Sequence, residues 1–209
     1  MRSRMSTTLL TAAASIGAAL ALAAPASAGL LVETTTDCPA QPVSQPFSRW
    51  LDPFSYQLAP GGSFEEGAAG WRLGGARVVS GNEPWRVAGS DDSASLRIPA
   101  GTSVTSEPVC VGLEHPTVRF FVRKNSGLLS VLAVSAVVQL EAGGTLTVPV
   151  GVVPAGGSWA PTLLPIVFAG NVLPLLPGEY TPVSFRFTPI LGGDWQIDDV
   201  YVDPWKMSR

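Results

Sequence analysis

Glycine and proline interrupt this chain too often for a helix of useful length to form between them. The 209 residues contain 22 glycines and 19 prolines. Proline removes a backbone donor and clashes with the preceding helical turn. Together the two residues punctuate short extended runs. Between the breaks, apolar residues recur with period two, the signature of a strand. In residues 117–124, Val118, Phe120 and Val122 face one way, and Arg119, Phe121 and Arg123 the other. Residues 183–187 and 95–98 alternate in the same manner. Asn125-Ser126-Gly127, Gly143-Gly144 and Gly192-Gly193 mark turns between strands. About nine or ten antiparallel strands at spacings of roughly 8–15 residues predict an all-β sandwich.

The first residues read as a targeting segment. Arg2 and Arg4 precede an apolar run over 9–22, and Ala26-Ser27-Ala28 is a small-residue cleavage site. Removing 1–28 leaves 29–209, a length suited to one domain. Pro39, Pro42, Pro46 and Pro53 make 29–57 an irregular arm, with Trp50, Phe54 and Tyr56 expected to dock it on a sandwich over 58–209. Cys38 and Cys110 are the two cysteines. In an exported protein they predict one disulfide, stabilising by roughly 4 kcal/mol on the chain-entropy argument. Of the 13 basic residues, 11 are arginine, a bias that suggests a GC-rich bacterial genome.

Without Arg2 and Arg4 the chain holds 11 basic and 16 acidic residues, a net charge of −5. That charge disfavours nucleic acid or an anionic lipid surface as partner. Residues 142–178 carry no charge at all, and 163–177 are strongly apolar. Pro165, Pro174 and Pro177 argue against a membrane-spanning helix there. The stretch reads as buried strand and covered loop, or as an exposed patch for a partner.

Catalytic signatures are sparse. His115 is the single histidine, and no G-x-S-x-G turn, zinc spacing or nucleotide loop occurs. The chemistry-bearing stretch is 194–204. Strict alternation puts Trp195, Ile197, Asp199, Tyr201 and Asp203 on one face, and Gln196, Asp198, Val200 and Val202 on the other. One aspartate must then point inward, and a buried carboxylate needs a pair, hydrogen bonds or a metal. Lys206, Arg209 and Arg186 are the nearest cations in sequence. A hard ion such as Ca²⁺ also satisfies such a group, with Glu65 or Glu66 from a Gly-rich bend joining Asp198 or Asp199. Adjacent residues on opposite faces cannot form the facing acid pair of a glycosidase, and nothing in the spacing selects Glu65, Glu66 or Glu83 as a partner. Trp85 and Trp159 lie in loop-like sequence and are candidate sugar platforms. Trp71 and Trp195 read as core.

Gly62-Ser63-Phe64-Glu65-Glu66-Gly67, then Gly70-Trp71, followed far downstream by Trp195-Gln196-Ile197-Asp198-Asp199-Val200, resembles the opening and closing strands of jelly-roll carbohydrate-binding modules. The chain is also similar to small secreted proteins of actinobacteria. The resemblance implies a jelly roll over 60–204, with a structural Ca²⁺ held by Glu65 and Asp198, and Asp199 beside them. The arm with Cys38 and the uncharged 142–178 stretch depart from the family pattern. The expected function is a secreted, non-catalytic glycan-binding or cell-surface protein, with polysaccharide or a cell-envelope component as partner. The alternative is a structural or protein-interaction protein of the envelope, without sugar binding.

Overall fold

The computed structural model describes residues 32–39, 41–112, 117–162, 166–167 and 180–207, with the backbone alone at 166–167 and 203–207. The expected signal segment 1–28, His115, Arg209 and most of the apolar 163–177 stretch lie outside the described residues. Among the described residues there are thirteen strands: β1 (Val43–Ser44), β2 (Phe54–Leu58), β3 (Arg77–Ser80), β4 (Ala94–Ile98), β5 (Val104–Thr105), β6 (Val109–Val111), β7 (Thr117–Lys124), β8 (Val131–Gln139), β9 (Thr145–Val153), β10 (Ala160–Pro161), β11 (Ile166–Val167), β12 (Thr181–Ile190) and β13 (Trp195–Met207). The excess over nine or ten comes from two-residue strands such as β1, β5, β10 and β11, too short to show alternation. One 3-10 turn, Ser48–Trp50, interrupts the arm.

The strands form the two antiparallel sheets of a jelly-roll sandwich. β13 is the axis of the larger sheet and pairs with β2, β4 and β7. β3 extends that sheet beyond β4, β1 beyond β2, and β10 and β11 beyond β7. In the smaller sheet β12 pairs with β8, β5 and β6, and β8 with β9. Leu96, Ile98, Phe120 and Trp195 from the first sheet pack between the layers against Phe185 and Phe187 of the second, all fully buried. Trp71 stacks on Phe187 at 6.2 Å and donates its indole N–H to the Pro60 carbonyl at 2.8 Å. Trp195 donates to Ser130 Oγ at 2.8 Å. Both are core residues, as their sequence contexts indicate.

The larger sheet is covered on its outer face too. Phe47, Tyr56, Phe121 and Tyr201 form a second buried cluster there, with Trp50, Trp85 and Trp159 packed against it. The arm supplies Phe47 and Trp50. Asp52 fixes it by accepting from the Tyr56 hydroxyl at 2.6 Å and by pairing with Arg119. The buried Arg119 guanidinium lies 3.9 Å from the Phe47 ring centroid and donates to the Thr162 carbonyl at 2.7 Å. Most of β2, with Phe54 and Tyr56, therefore comes from the stretch expected to be irregular, because pairing with β13 overrides the local effect of Pro53. Cys38 is joined to Cys110 of β6, with Cα atoms 6.1 Å apart. The arm is thus covalently tied to the smaller sheet and packed by its aromatic side chains on the larger one.

Candidate functional site

The site begins with a bulge in β13. Between the pairs Asp198↔Phe121 and Tyr201↔Arg119, β13 advances one residue more than β7. Asp199 carries the extra residue in a left-handed conformation, φ 48°. A bulge bends its strand and resets the alternation of faces. Strict alternation therefore fails here. Trp195, Ile197, Val200 and Val202 face the main core, and Tyr201 joins the outer cluster. The turn at 59–62 seals the bulge: Ala59 N donates to Val200 O at 2.8 Å, and Val200 N to Gly62 O at 3.1 Å. A Cβ at Gly62 would stand 2.9 Å from Ala59 O and 3.0 Å from Val200 O, so this approach requires glycine.

The bulge leaves both aspartates fully buried, but in different states. Asp198 is satisfied: Oδ2 accepts from Glu83 N at 3.0 Å, and Oδ1 from Asp199 N at 2.9 Å. Neither oxygen of Asp199 has a hydrogen-bond partner, nor has either oxygen of the buried Asp92. Glu83, also fully buried, caps the following turn by accepting from Trp85 N and from Val87 N, the latter at 2.6 Å. Carboxylate oxygens of Glu83, Asp92 and Asp199 lie within 4.8 Å of one another. That is about twice a Ca²⁺–oxygen bond, so one hard cation reaches all three.

The electrostatics agree with the geometry. Burial pushes the Asp198 carboxyl up to about 9, and the charge of Asp199 adds to it. Burial, then Asp92 and Glu83, push Asp199 up to about 8, while the nearby Ala88 amide opposes this without a hydrogen bond of ordinary geometry to either Asp199 oxygen. Burial and a contact with Glu65 push Asp92 up to about 7. The ion pairs among the described residues are Arg97–Asp194 and Arg119–Asp52. Arg186 serves the smaller sheet, donating to Thr105 Oγ1 at 3.3 Å. No arginine or lysine among these pairs answers the cluster. Its all-oxygen, anionic donor set fits a hard divalent ion.

Of the expected metal residues, Asp199 is in the cluster. Asp198 abuts it and spends its oxygens positioning Glu83 and the bulge. Glu65 is exposed at the rim and accepts from Ser93 N, Ser93 Oγ and Ala94 N at 2.8, 2.9 and 2.6 Å. Burial opposes its charge, but the Ser93 and Ala94 amides outweigh this and hold its carboxyl below the ordinary value. Glu65 thus clamps the segment that carries Asp92. Glu83 and Asp92 were not in the expected ligand set. Their signal is the acidic residue at each end of the loop joining β3 to β4.

That loop also carries Trp85. Its indole meets Trp50 at 4.8 Å and 90°, and lies 5.7 Å from Phe121. Gln45, Pro46, Ser48, Arg49, Trp50, Trp85 and Val87 line a cavity of about 210 Å³ open to solvent. A second opening of about 350 Å³, lined by Ser63, Glu65, Gly89, Asp91 and Asp92, leads to the acid cluster. Trp159 is half-buried elsewhere on the same aromatic face, 5.0 Å beneath the Arg123 guanidinium. Glu83, Asp92 and Asp199 are thus buried at the base of that opening, an arrangement that suits them to hold an ion.

No protein-family model matches the sequence, and no curated protein matches it. Solved structures with a similar backbone are mostly carbohydrate-binding modules. One is the family 22 xylan-binding domain from Paenibacillus barcinonensis, 17% identical, covering 68% of this chain and 90% of that one, with a TM-score of 0.44. The family 22 module and catalytic module of Clostridium thermocellum endo-1,4-β-D-xylanase 10B, complexed with xylohexaose, align at 14% identity over 67% of this chain, with a TM-score of 0.47; the match spans 27% of that chain. A family 16 carbohydrate-binding module is 14% identical over 69% of this chain and 97% of its own, with a TM-score of 0.45.

Proposed function

We propose that this chain is a secreted, non-catalytic glycan-binding protein whose tryptophan loop is held in place by Ca²⁺. One observation carries the reading. Glu83 caps the backbone of the Trp85 turn with a carboxylate that also belongs to the buried acid cluster. An ion bound by Glu83, Asp92 and Asp199 clips both ends of the loop to β13, and so fixes half of an aromatic groove. Indole faces stack on the apolar C–H faces of sugar rings. The disulfide supports an oxidising compartment. In this reading 1–28 is removed as a signal peptide, leaving the arm and sandwich over 29–209. The experiment is affinity electrophoresis of the folded, Ca²⁺-loaded protein against a panel of soluble polysaccharides. Retardation by at least one supports the reading, and retardation by none rejects it.

A second reading, an envelope protein that acts by contact with another protein, is favoured by a separate observation. Leu128, Leu129 and Leu191 are 91%, 76% and 72% exposed on the β7–β8 and β12–β13 turns, each of which crosses from one sheet to the other. The turns touch, since Ser130 Oγ donates to the Ile190 carbonyl at 2.7 Å. Self-association that Leu128→Ser and Leu191→Ser abolish, with no polysaccharide bound, would favour that reading over the first.

A further inference from the structure

The cavity between the arm and the β3–β4 loop has a chemical bias that generic sugar stacking does not explain. Its two indoles are perpendicular, so one offers a face where the other offers an edge. The core tryptophans Trp71 and Trp195 both have acceptors for their indole N–H groups. Neither Trp50 nor Trp85 donates its indole N–H to any described residue. Arg49, in the same wall, is exposed and takes part in neither described ion pair. The corner therefore gathers three donor groups that have no acceptor among the described residues around an aromatic surface. The carboxylates placed on the two walls are both engaged: Glu83 is buried and accepts two backbone N–H groups, and Asp52 pairs with Arg119 and accepts from the Tyr56 hydroxyl. At about 210 Å³ the space is smaller than an ordinary drug-sized pocket of roughly 300–1,000 Å³, so it suits one ring and not a length of chain.

Such a corner matches a ring that has an apolar C–H face and a negatively charged edge. We propose that it is a subsite for a uronic-acid residue, the ring lying on the indole surface and its carboxylate meeting Arg49. A guanidinium pairs with a carboxylate by two parallel hydrogen bonds, which neutral hydroxyls cannot match. This inference rests on the glycan-binding reading and names the sugar class it takes. The subsite is built largely from residues 45–50, the arm that the jelly-roll family pattern lacks. That origin explains why the arm is both cross-linked at Cys38 and anchored through Asp52.

The test is isothermal titration of the oxidised, Ca²⁺-loaded protein with trigalacturonate, with its methyl ester, and with neutral xylotriose. The ester keeps the ring and removes the charge. The expected result is binding of trigalacturonate about tenfold or more tighter than its ester, the scale of one charge-assisted contact. Arg49→Gln is expected to remove that preference by weakening trigalacturonate about tenfold or more. Because Arg49 is exposed and in neither ion pair among the described residues, this variant keeps the fold. Trp50→Ala is expected to weaken both ligands by about tenfold or more. If a saccharide binds but Arg49→Gln and Trp50→Ala leave its affinity unchanged, the subsite is refuted and the general glycan reading stands. Equal affinity for the acid and its ester also refutes it. If these ligands and the polysaccharide panel all fail to bind, both readings fall.

Discussion

Replacing Asp199 by asparagine should raise the protein's stability in chelator and remove its stabilisation by Ca²⁺. The side chain keeps its shape and loses its charge. Asparagine also suits the left-handed backbone at this position, φ 48°, so the bulge survives. In chelator, wild type must keep a carboxyl in a site that moves its titration from 3.8 to about 8, a difference on the order of 5 kcal/mol. The asparagine amide still lacks partners, which costs about 1–3 kcal/mol. The variant should therefore be more stable in EDTA at pH 8 by about 2–4 kcal/mol. In Ca²⁺ at one hundred times Kd, wild type should gain about 2.7 kcal/mol and the variant little. For a chain of this length each kcal/mol moves Tm by about 2–4 °C, so the wild-type rise should be roughly 5–11 °C. Scanning calorimetry of both proteins in EDTA and in Ca²⁺ reads all four values. An equal Ca²⁺ response in the two proteins, or a wild-type Tm that Ca²⁺ does not move, refutes the assignment of Asp199 as a ligand.

The same cluster makes the chelated protein sensitive to pH. Asp92, Asp198 and Asp199 titrate near 7, 9 and 8 when folded, against 3.8 otherwise, so the native state binds more protons in that window and stability falls as pH rises from about 4 to about 9. Urea midpoints in EDTA at pH 5 and pH 8 check this, and a higher midpoint at pH 8 contradicts it. Arg119→Ala removes the buried member of the pair with half-buried Asp52 and the ring contact with Phe47, and should cost about 3 kcal/mol by urea denaturation. Replacing both Cys38 and Cys110 by serine opens a loop of separation 72 and should cost about 2–5 kcal/mol. Limited proteolysis should then cut the arm first, and cleavage first within β12 would contradict the strap. Gly62→Ala should cost about 1–3 kcal/mol by the same urea assay, because the added methyl meets the Ala59 and Val200 carbonyl oxygens.

The sheets were legible in the sequence wherever a strand is long and one side of it is apolar, as in β7 and β12. The disulfide was legible because only one pairing exists. The orientation of Asp199 was not, since a bulge is an interruption of the pattern used to read faces. Nothing local to Asp198-Asp199 indicates which peptide unit turns left-handed; the sealing turn at Gly62 decides it from far away in the chain. Glu83 was visible only as one acid among several and Asp92 was not singled out; their burial comes from β3–β4 folding across β13, a long-range event with no periodic trace. Trp85 was readable as a loop aromatic. Its partner Trp50 looked like an anchor, and it is one: the same indole docks the arm and lines the groove.

The bulge at Asp199 also bears on how β13 finds its alignment. The strand pairs with β2, β4 and β7, so its register sets three interfaces together. A slip of one residue would turn Gln196 and Asp198 into the apolar layer and carry Trp195 and Ile197 out of it. Burying that carboxylate without partners costs several kcal/mol. Only the native alignment brings residue 199 opposite Glu83 and Asp92, so on the proposed Ca²⁺ reading only a correctly paired sheet captures the ion. A cation that arrives late in folding would then act as a check on strand pairing, securing chains that have closed in register and leaving misaligned ones free to reopen.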